Sequence, residues 1–316
     1  MNDVVALGEV LIDFAQIQKD EKGYPTLCAN PGGAPANFLA SISKFGLKTA
    51  MLAKVGNDTF GNLLINTLKE NKINTKGIIK DSNYFTTLAF VTLDNKGERH
   101  FAFSRKPGAD TKLSFKEIDL SLIDNSKVFH FGTLSLTDNP IKTTTKKLVA
   151  YASKQNKLIS FDPNLRKPLW NNIQDAKKAM LYGLKVSDIV KISDEEVKFL
   201  FGVKKEKAIP YLLNKFKNIQ LLYVTCGNKG SYYATRKYSG FIKAIDNIKV
   251  IDTTGAGDIF GGSAMYKFLK TKKDINDLTK EDLLDIVTFA TISAGLSTTK
   301  LGGISSIVTL DEIENY

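Results

Sequence analysis

The sequence predicts an α/β fold: a mainly parallel sheet covered by helices on both faces, in three αβα layers, with a small β-sheet projecting as a lid. Three observations predict it. From residue 127 onward, short apolar runs alternate with helical patterns, the signature of a parallel sheet with crossover helices. Those runs, such as Val128-Phe129-His130-Phe131 and Leu221-Leu222-Tyr223-Val224, are nearly continuous in apolar character, as strands buried on both faces are. Residues 84–105 break the alternation: two β-rich stretches flank Asp94-Asn95-Lys96-Gly97-Glu98, a hairpin signal with no helix nearby to cover it. The chain reads as one domain over 1–316, with the lid drawn from about 14–30 and 84–106.

Taken in order, residues 4–14 open with an apolar run read as one buried strand, and Asp13 stands just past it. Residues 15–30 are mixed and turn-rich. Pro31-Gly32-Gly33-Ala34-Pro35-Ala36-Asn37 then leads into a helical pattern at 38–45 that Gly46 ends. A strand is expected at 49–55 and a helix at 58–71. Beyond the hairpin, strands are expected at 128–131, 158–161, 189–192 and 221–224. Helices are expected at 140–156, 172–184, near 194–201, at 205–216 and at 279–299.

The composition narrows the function classes. Hydrophobic residues make up 43% of the 316 and charged residues 24%, ordinary for a soluble globular protein. No apolar run is long enough to span a bilayer, and the first residues lack a signal-peptide layout. Cys28 and Cys226 suggest no disulfide framework, so cytosol is the expected compartment. The net charge of +11 comes mostly from short Lys runs beside acids. Without a basic stripe interleaved with aromatics, nucleic acid is not the expected partner, nor is a membrane. His100 and His130 have no zinc spacing and are read as structural.

The most informative stretch is Asp252-Thr253-Thr254-Gly255-Ala256-Gly257-Asp258, which runs into Ile259, Phe260, Met265, Phe268 and Leu269 spaced along one side of a helix. A glycine-rich loop that becomes a helix N-terminus offers unpartnered amides and a partial positive charge, so it can cradle phosphate or an oxyanion. Asp258 then stands where it can take a proton from an attacking hydroxyl. The plainer alternative is a loop capped by Thr254 with an acid in the first helical turn. A dinucleotide fingerprint is a poor match, because an acid inside the loop would repel a pyrophosphate. No Gly-x-x-x-x-Gly-Lys-Ser/Thr segment occurs anywhere, so phosphates must be held by something other than a P-loop.

Together with Gly8-Glu9 and Asp13, the turn at 32–37, Gly56-Asn57-Asp58-Thr59-Phe60-Gly61 and the segment 225–230, this loop strongly resembles the ribokinase-like (PfkB) carbohydrate kinases, nearly end to end. Asp162-Pro163-Asn164-Leu165-Arg166 followed by Leu169-Trp170, with Phe103-Ser104-Arg105-Lys106-Pro107-Gly108-Ala109-Asp110, is most similar to fructokinases.

The resemblance implies transfer of the γ-phosphoryl of ATP to a sugar hydroxyl, for a fructokinase the 6-hydroxyl of D-fructose. Asp258 is the implied base, with the amides at Gly255, Ala256 and Gly257 as anion hole. Asp13, Gly32, Gly33, Asn37, Phe101, Phe103, Arg105 and Arg166 are implied around the sugar. Lys191, Ser193, Thr225, Gly227, Gly230 and Ser293 are implied along the nucleotide. Glu196 is implied to organise Mg²⁺ through water, although Ser193 replaces the asparagine of the family's Asn-x-x-Glu motif. A K⁺ site is implied at Asp252 and Thr254, with backbone oxygens near Ser297, Lys300 and Gly302 and the side chain of Ser306. Pairing into a homodimer through the lid is a further expectation. Competing readings are a 2-keto-3-deoxygluconate kinase, with Arg105 as the extra cation, a ribokinase or nucleoside kinase, and a binding regulator without turnover.

Overall fold

The computed structural model describes residues 2–93 and 99–316. The hairpin turn expected at 94–98 and the side chains of Leu93, Arg99 and Phe101 lie outside the described residues. The strands are β1 (Val4–Leu7), β2 (Leu11–Lys19), β3 (Pro25–Gly32), β4 (Thr49–Gly56), β5 (Ile73–Asn74), β6 (Ile78–Asp81), β7 (Leu88–Leu93), β8 (Arg99–Ser104), β9 (Val128–Gly132), β10 (Leu158–Asp162), β11 (Ile189–Ser193), β12 (Leu221–Thr225), β13 (Ser231–Ala234) and β14 (Ser239–Ile242). The helices are α1 (Ala34–Lys44), α2 (Thr59–Glu70), α3 (Ser121–Asp124), α4 (Ile141–Lys154), α5 (Ile173–Val186), α6 (Asp194–Phe201), α7 (Ala208–Lys215), α8 (Ala256–Thr271), α9 (Lys280–Ser297) and α10 (Leu310–Glu314).

The main sheet runs β14-β13-β12-β11-β10-β9-β1-β4-β5, with β6 also beside β4. It is parallel from β12 to β5; β13 and β14 are antiparallel additions at one edge. Side chains alternate across a strand, so consecutive residues serve opposite layers. Val4 and Ala6 join one core with Phe38, Ile259 and Ile286, from α1, α8 and α9. Val5 and Leu7 join the other with Leu148, Leu184 and Leu212, from α4, α5 and α7. All four residues of β1 are fully buried, which explains why the strand reads as unbroken apolar sequence.

The buried strand expected at the opening of 4–14 is β1, and it ends at Leu7. The chain leaves the main sheet after Leu7 and re-enters β structure at Leu11 in a second, four-stranded sheet, ordered β3-β2-β7-β8. There β2 pairs antiparallel with β3 and parallel with β7, and β7 pairs antiparallel with β8. Only Gly8-Glu9, both buried, mark the change of sheet between two apolar runs. The mixed stretch at 15–30 is a hairpin, disguised by Pro25, Cys28, Asn30 and Pro31 along β3. The small strands β5, β6, β13 and β14 were not anticipated either; each is two to four residues long.

Helix α8 is not one-sided. Gly262, Ser263, Ala264 and Tyr266 are buried along with the expected Ile259, Phe260, Met265 and Phe268, because the helix packs between α1 and α9. No helix among the described residues is long and apolar enough to cross a membrane.

Candidate active site

The parallel strands end along one rim, at Gly132, Asp162 and Ser193, while β1 hands over to Glu9. From β1 the chain builds outward to β4 on one side and, later, to β9 through β12 on the other. A parallel sheet leaves a crevice where its strand order reverses in this way. A cavity of about 620 Å³ opens there, between the rim, the lid and the N-terminus of α8. A second, of about 320 Å³, adjoins it. Asn164, Arg166, Gly255 and Asp258 line both, so they form the shared wall.

Asp258, in the first turn of α8, is 7% exposed. Its Oδ2 accepts from Asn37 Nδ2 at 2.9 Å and its Oδ1 from Asn164 Nδ2 at 3.0 Å. Burial raises its pKa; Lys191, the Asn37 hydrogen bond and Arg166 work against that rise, and Glu196 adds to it. Two glycines make this geometry possible. Gly255, at φ 75°, holds a left-handed turn in which a β-carbon would lie 3.1 Å from both Asn37 Nδ2 and the Gly303 Cα. At Gly257 a β-carbon would stand 2.8 Å from Lys191 Nζ. The ammonium is thus drawn against the start of α8, where it also meets Asp162 Oδ2 at 2.9 Å. Burial opposes the Lys191 charge, but Asp162, Glu196 and Asp258 outweigh it and hold the pKa above the ordinary lysine value. Ala256 does not join the expected cradle: it lines neither cavity, and its amide donates to the Thr253 carbonyl at 3.3 Å.

The lid supplies Asp13 from β2 and Phe103 from β8, both facing the large cavity, and Gly33 and Asn37 face it from the turn before α1 and from α1 itself. Burial pushes the Asp13 carboxyl up to about 6; Arg166 opposes this, while Asp258 and Asp252 add to it. Gly32, diagonal to it on β3, leaves room for the carboxylate: a β-carbon there would be 2.6 Å from Asp13 Oδ2. Glu9 also lines the cavity, pushed to about 7 chiefly by burial, and its Oε1 accepts from the Ala34 amide at 3.1 Å.

Several expected contacts are corrected. Arg105 does not reach into the cavity from the lid. It is 4% exposed, and its guanidinium is committed to Asp110 at 2.7 Å, the Leu134 carbonyl at 2.9 Å and Thr137 at 3.0 Å. Ser293 has no exposed surface and accepts from Ser263 at 2.8 Å, so it joins α8 to α9 instead of bordering a ligand. Thr225, Gly227 and Gly230 follow the end of β12 but line neither cavity, and Gly230 packs against the Ile242 carbonyl. The Phe101 side chain lies outside the described residues.

Lys191, Ser193, Glu196 and Gly257 line the smaller cavity. Ser193 caps α6: its hydroxyl accepts from the Glu196 amide at 3.2 Å, and Glu196 Oε2 accepts from the Ser193 amide at 2.9 Å. Glu196 Oε1 accepts from the Leu165 amide at 2.8 Å. Each carboxylate oxygen keeps a further lone pair, which suits the waters of a hydrated Mg²⁺. Asp252, 8% exposed, accepts from the Thr254 amide and hydroxyl at 2.9 and 2.7 Å and from the Gly302 amide at 2.9 Å. The hydroxyls of Thr254 and Ser306 donate inward, Ser306 to the Gly303 carbonyl, so their oxygens keep lone pairs for a cation. Near it, the Ser297 carbonyl accepts from the Lys300 amide at 3.1 Å and keeps a second lone pair, while the Lys300 ammonium is turned to Glu312.

Asn164 was missed by the sequence reading. Its signal was weak: an asparagine in a turn after a strand, one of many positions where asparagine serves turn geometry alone.

A sequence model of the pfkB family carbohydrate kinases matches residues 1–310. The chain is 37% identical over 314 residues to the probable fructokinase-4 of Arabidopsis thaliana, covering 99% of this chain and 95% of that protein. In structure it is similar to a fructokinase from Xylella fastidiosa with bound ATP, at TM-score 0.90, 28% identity and coverage of 100% and 98% of the two chains. A double-mutant fructokinase from Vibrio cholerae with fructose, ADP and potassium ion bound gives TM-score 0.88 at 29% identity, with the same coverage. A match that runs almost from end to end, around a crevice with a buried acid at a helix N-terminus, settles the family: the chain belongs to the pfkB carbohydrate kinases, enzymes that phosphorylate a sugar.

Proposed function

We propose that this kinase phosphorylates D-fructose at its 6-hydroxyl, with ATP as donor and Asp258 as base. One observation carries the reading: the Asp258 carboxylate stands in the wall shared by a large cavity under the lid and a smaller one at the start of α8. A sugar in the first and a nucleotide tail in the second meet at that carboxylate. Asp13 and Asn37 suit vicinal hydroxyls, because a carboxylate and an amide bind them directionally.

The sugar oxygen attacks the γ-phosphorus as the bond to the ADP oxygen breaks, and the hydroxyl proton passes to Asp258. Because phosphoryl transfer depends mainly on position and charge, the proton can leave late and no strong base is required. The start of α8 at Gly255 and Gly257, with Lys191, faces the charge that develops on the transferred group. Mg²⁺ fits beside Glu196 through water and would neutralise phosphate charge. K⁺ fits at Asp252 and would brace the loop before α8, so turnover is expected to fall when a bulky organic cation replaces it.

The acidic-sugar alternative is weakened, since the cation it relied on, Arg105, is spent on Asp110. Pairing of two copies through the lid is supported by Ile17 on β2 and Tyr24 just before β3, exposed at 57% and 67%.

The test is a panel of fructose, ribose, 2-keto-3-deoxygluconate and adenosine, reporting kcat/KM with ATP and Mg²⁺, alongside Asp258→Asn. Fructose should lead, and the variant should keep its fold and lose at least ~100-fold in kcat, the low end of a general base's contribution. Near-full turnover by Asp258→Asn would overturn the base assignment.

A further inference from the structure

Asp258 is held at both oxygens, and by amides from two distant parts of the chain: Asn37 on α1 and Asn164 in the turn after β10. A carboxylate turns easily about its last torsion, since rotation there is broad and two-fold. One donor fixes an oxygen and leaves the plane free to swing. Donors on opposite oxygens fix the plane, and each oxygen keeps one lone pair for the reacting proton.

The turn carrying Asn164 looks built for that contact. Asn164 sits at φ 43°, in the left-handed region that asparagine tolerates better than most side chains. Its amide donates to Asp162 Oδ1 at 3.2 Å, while Asp162 Oδ2 holds the Lys191 ammonium at 2.9 Å. One carboxylate therefore sets both the turn that aims Asn164 and the cation beside α8. Hydrogen bonding from a neutral amide also favours the ionised form of Asp258, against the effect of burial. The charged groups around Asp258 are Lys191 on β11, Arg166 and Asp162 at the end of β10, Glu196 on α6 and Asp13 on β2, with Glu9 in the same cavity.

We propose that Asn164 is a positioning residue for phosphoryl transfer: with Asn37 it locks the plane of the Asp258 carboxylate, so that a lone pair faces the incoming hydroxyl, and it helps keep that carboxylate ionised. The proposal rests on Asp258 acting as the base.

The test is Asn164→Gly, which removes the amide while keeping the left-handed turn accessible. Turnover should fall about 10- to 100-fold, the scale set by misplacing a reacting group by an ångström or less. KM for ATP should stay within about twofold, and the acid limb of the kcat–pH profile should move to higher pH. In an Asp258→Asn background the same change should cost almost nothing more, because no carboxylate is left to aim. Wild-type turnover by Asn164→Gly, or a loss with an unmoved acid limb, overturns the proposal. Should Asn164→Gly not fold, Asn164→Asp keeps the turn and sets a second carboxylate against the first. Its acid limb should move up further, and an unmoved limb again overturns the proposal. If Asp258→Asn is itself fully active, the base reading fails; if it is inactive while Asn164→Gly behaves as wild type, only the role of Asn164 fails.

Discussion

Replacing Gly257 by alanine tests whether the close approach of Lys191 to the start of α8 matters for turnover. The new β-carbon would stand 2.8 Å from Lys191 Nζ, where ordinary contact begins at 3.4 Å, so the ammonium must retreat by about 0.6 Å. It is the far end of a flexible side chain and can move. Stability should therefore change little, because alanine's helix preference, up to about 1 kcal/mol over glycine, offsets the crowding. Catalysis should suffer more. Displacing a charge by this much beside the reacting phosphoryl is expected to lower kcat by roughly 10- to 100-fold.

The assay is coupled ADP release at saturating sugar and ATP, read with thermal melts of the same samples. The methyl could instead crowd the phosphates directly, and a double-mutant cycle separates the two causes. In a Lys191→Met background, Gly257→Ala should cost less than about twofold, because the ammonium it displaces is already gone. Losses that multiply in the double variant would refute the reasoning, as would an unchanged kcat in the single one.

Two further predictions follow from the electrostatics. With the Asp13 carboxyl at about 6, protonation below that pH removes the charge facing Arg166 and one acceptor for a sugar hydroxyl. Sugar kcat/KM should therefore fall as pH drops through about 6, and Asp13→Asn should flatten that limb; a limb unchanged in the variant would clear Asp13 of the effect. Because the folded pKa lies above the ordinary 3.8, the stabilising contribution of this group is present at low pH and is lost as pH rises through about 6. Arg105→Met should cost about 3–5 kcal/mol in denaturant unfolding by leaving Asp110 buried without its ion-pair partner, while the folded enzyme keeps its sugar KM within about twofold. A large rise in KM at unchanged stability would return Arg105 to the cavity.

The fold was legible where a residue's neighbours in sequence are also its layer in space. The strands at 128–131 and 221–224 are buried on both faces and announce themselves as unbroken apolar runs. The same property misled at 4–14, where two strands of different sheets are both buried at their junction and the Gly8-Glu9 pair that marks the change is itself buried. Helix α8 misled for a related reason: buried on nearly all sides, it carries glycine, serine and tyrosine on faces that a surface helix would give to charge. In the site, the place of Asp258 and Gly255 at the start of a helix was legible from the glycine-rich loop that runs into a helical pattern, and both line the two cavities. Arg105 and Ser293 were misassigned because sequence does not say whether a polar side chain faces a cavity or a buried partner. Here Asp110 and Ser263 take them.

The charge balance of the cavity argues for an ordered use of its two halves. Glu9, Asp13, Asp252 and Asp258 all line the large cavity, with Arg166 and Lys167 as its cationic side chains, whereas Lys191 faces only the smaller one. A neutral polyol fits among those acids at little electrostatic cost, and burial holds the pKa values of Glu9, Asp13 and Asp258 above the ordinary range. A nucleotide tail brings more negative charge; in the smaller cavity it would meet Lys191, Arg166, Lys167 and the start of α8, with Glu195 and Glu196 beside them. Arg166 and Lys167 line both cavities beside Asp258, and Lys191 adds a cation on the smaller side alone. That is the arrangement a transfer from an anion to a neutral alcohol calls for, and it explains why the two amides that hold Asp258 are neutral: a cation at either position would bind the carboxylate too tightly for it to take a proton.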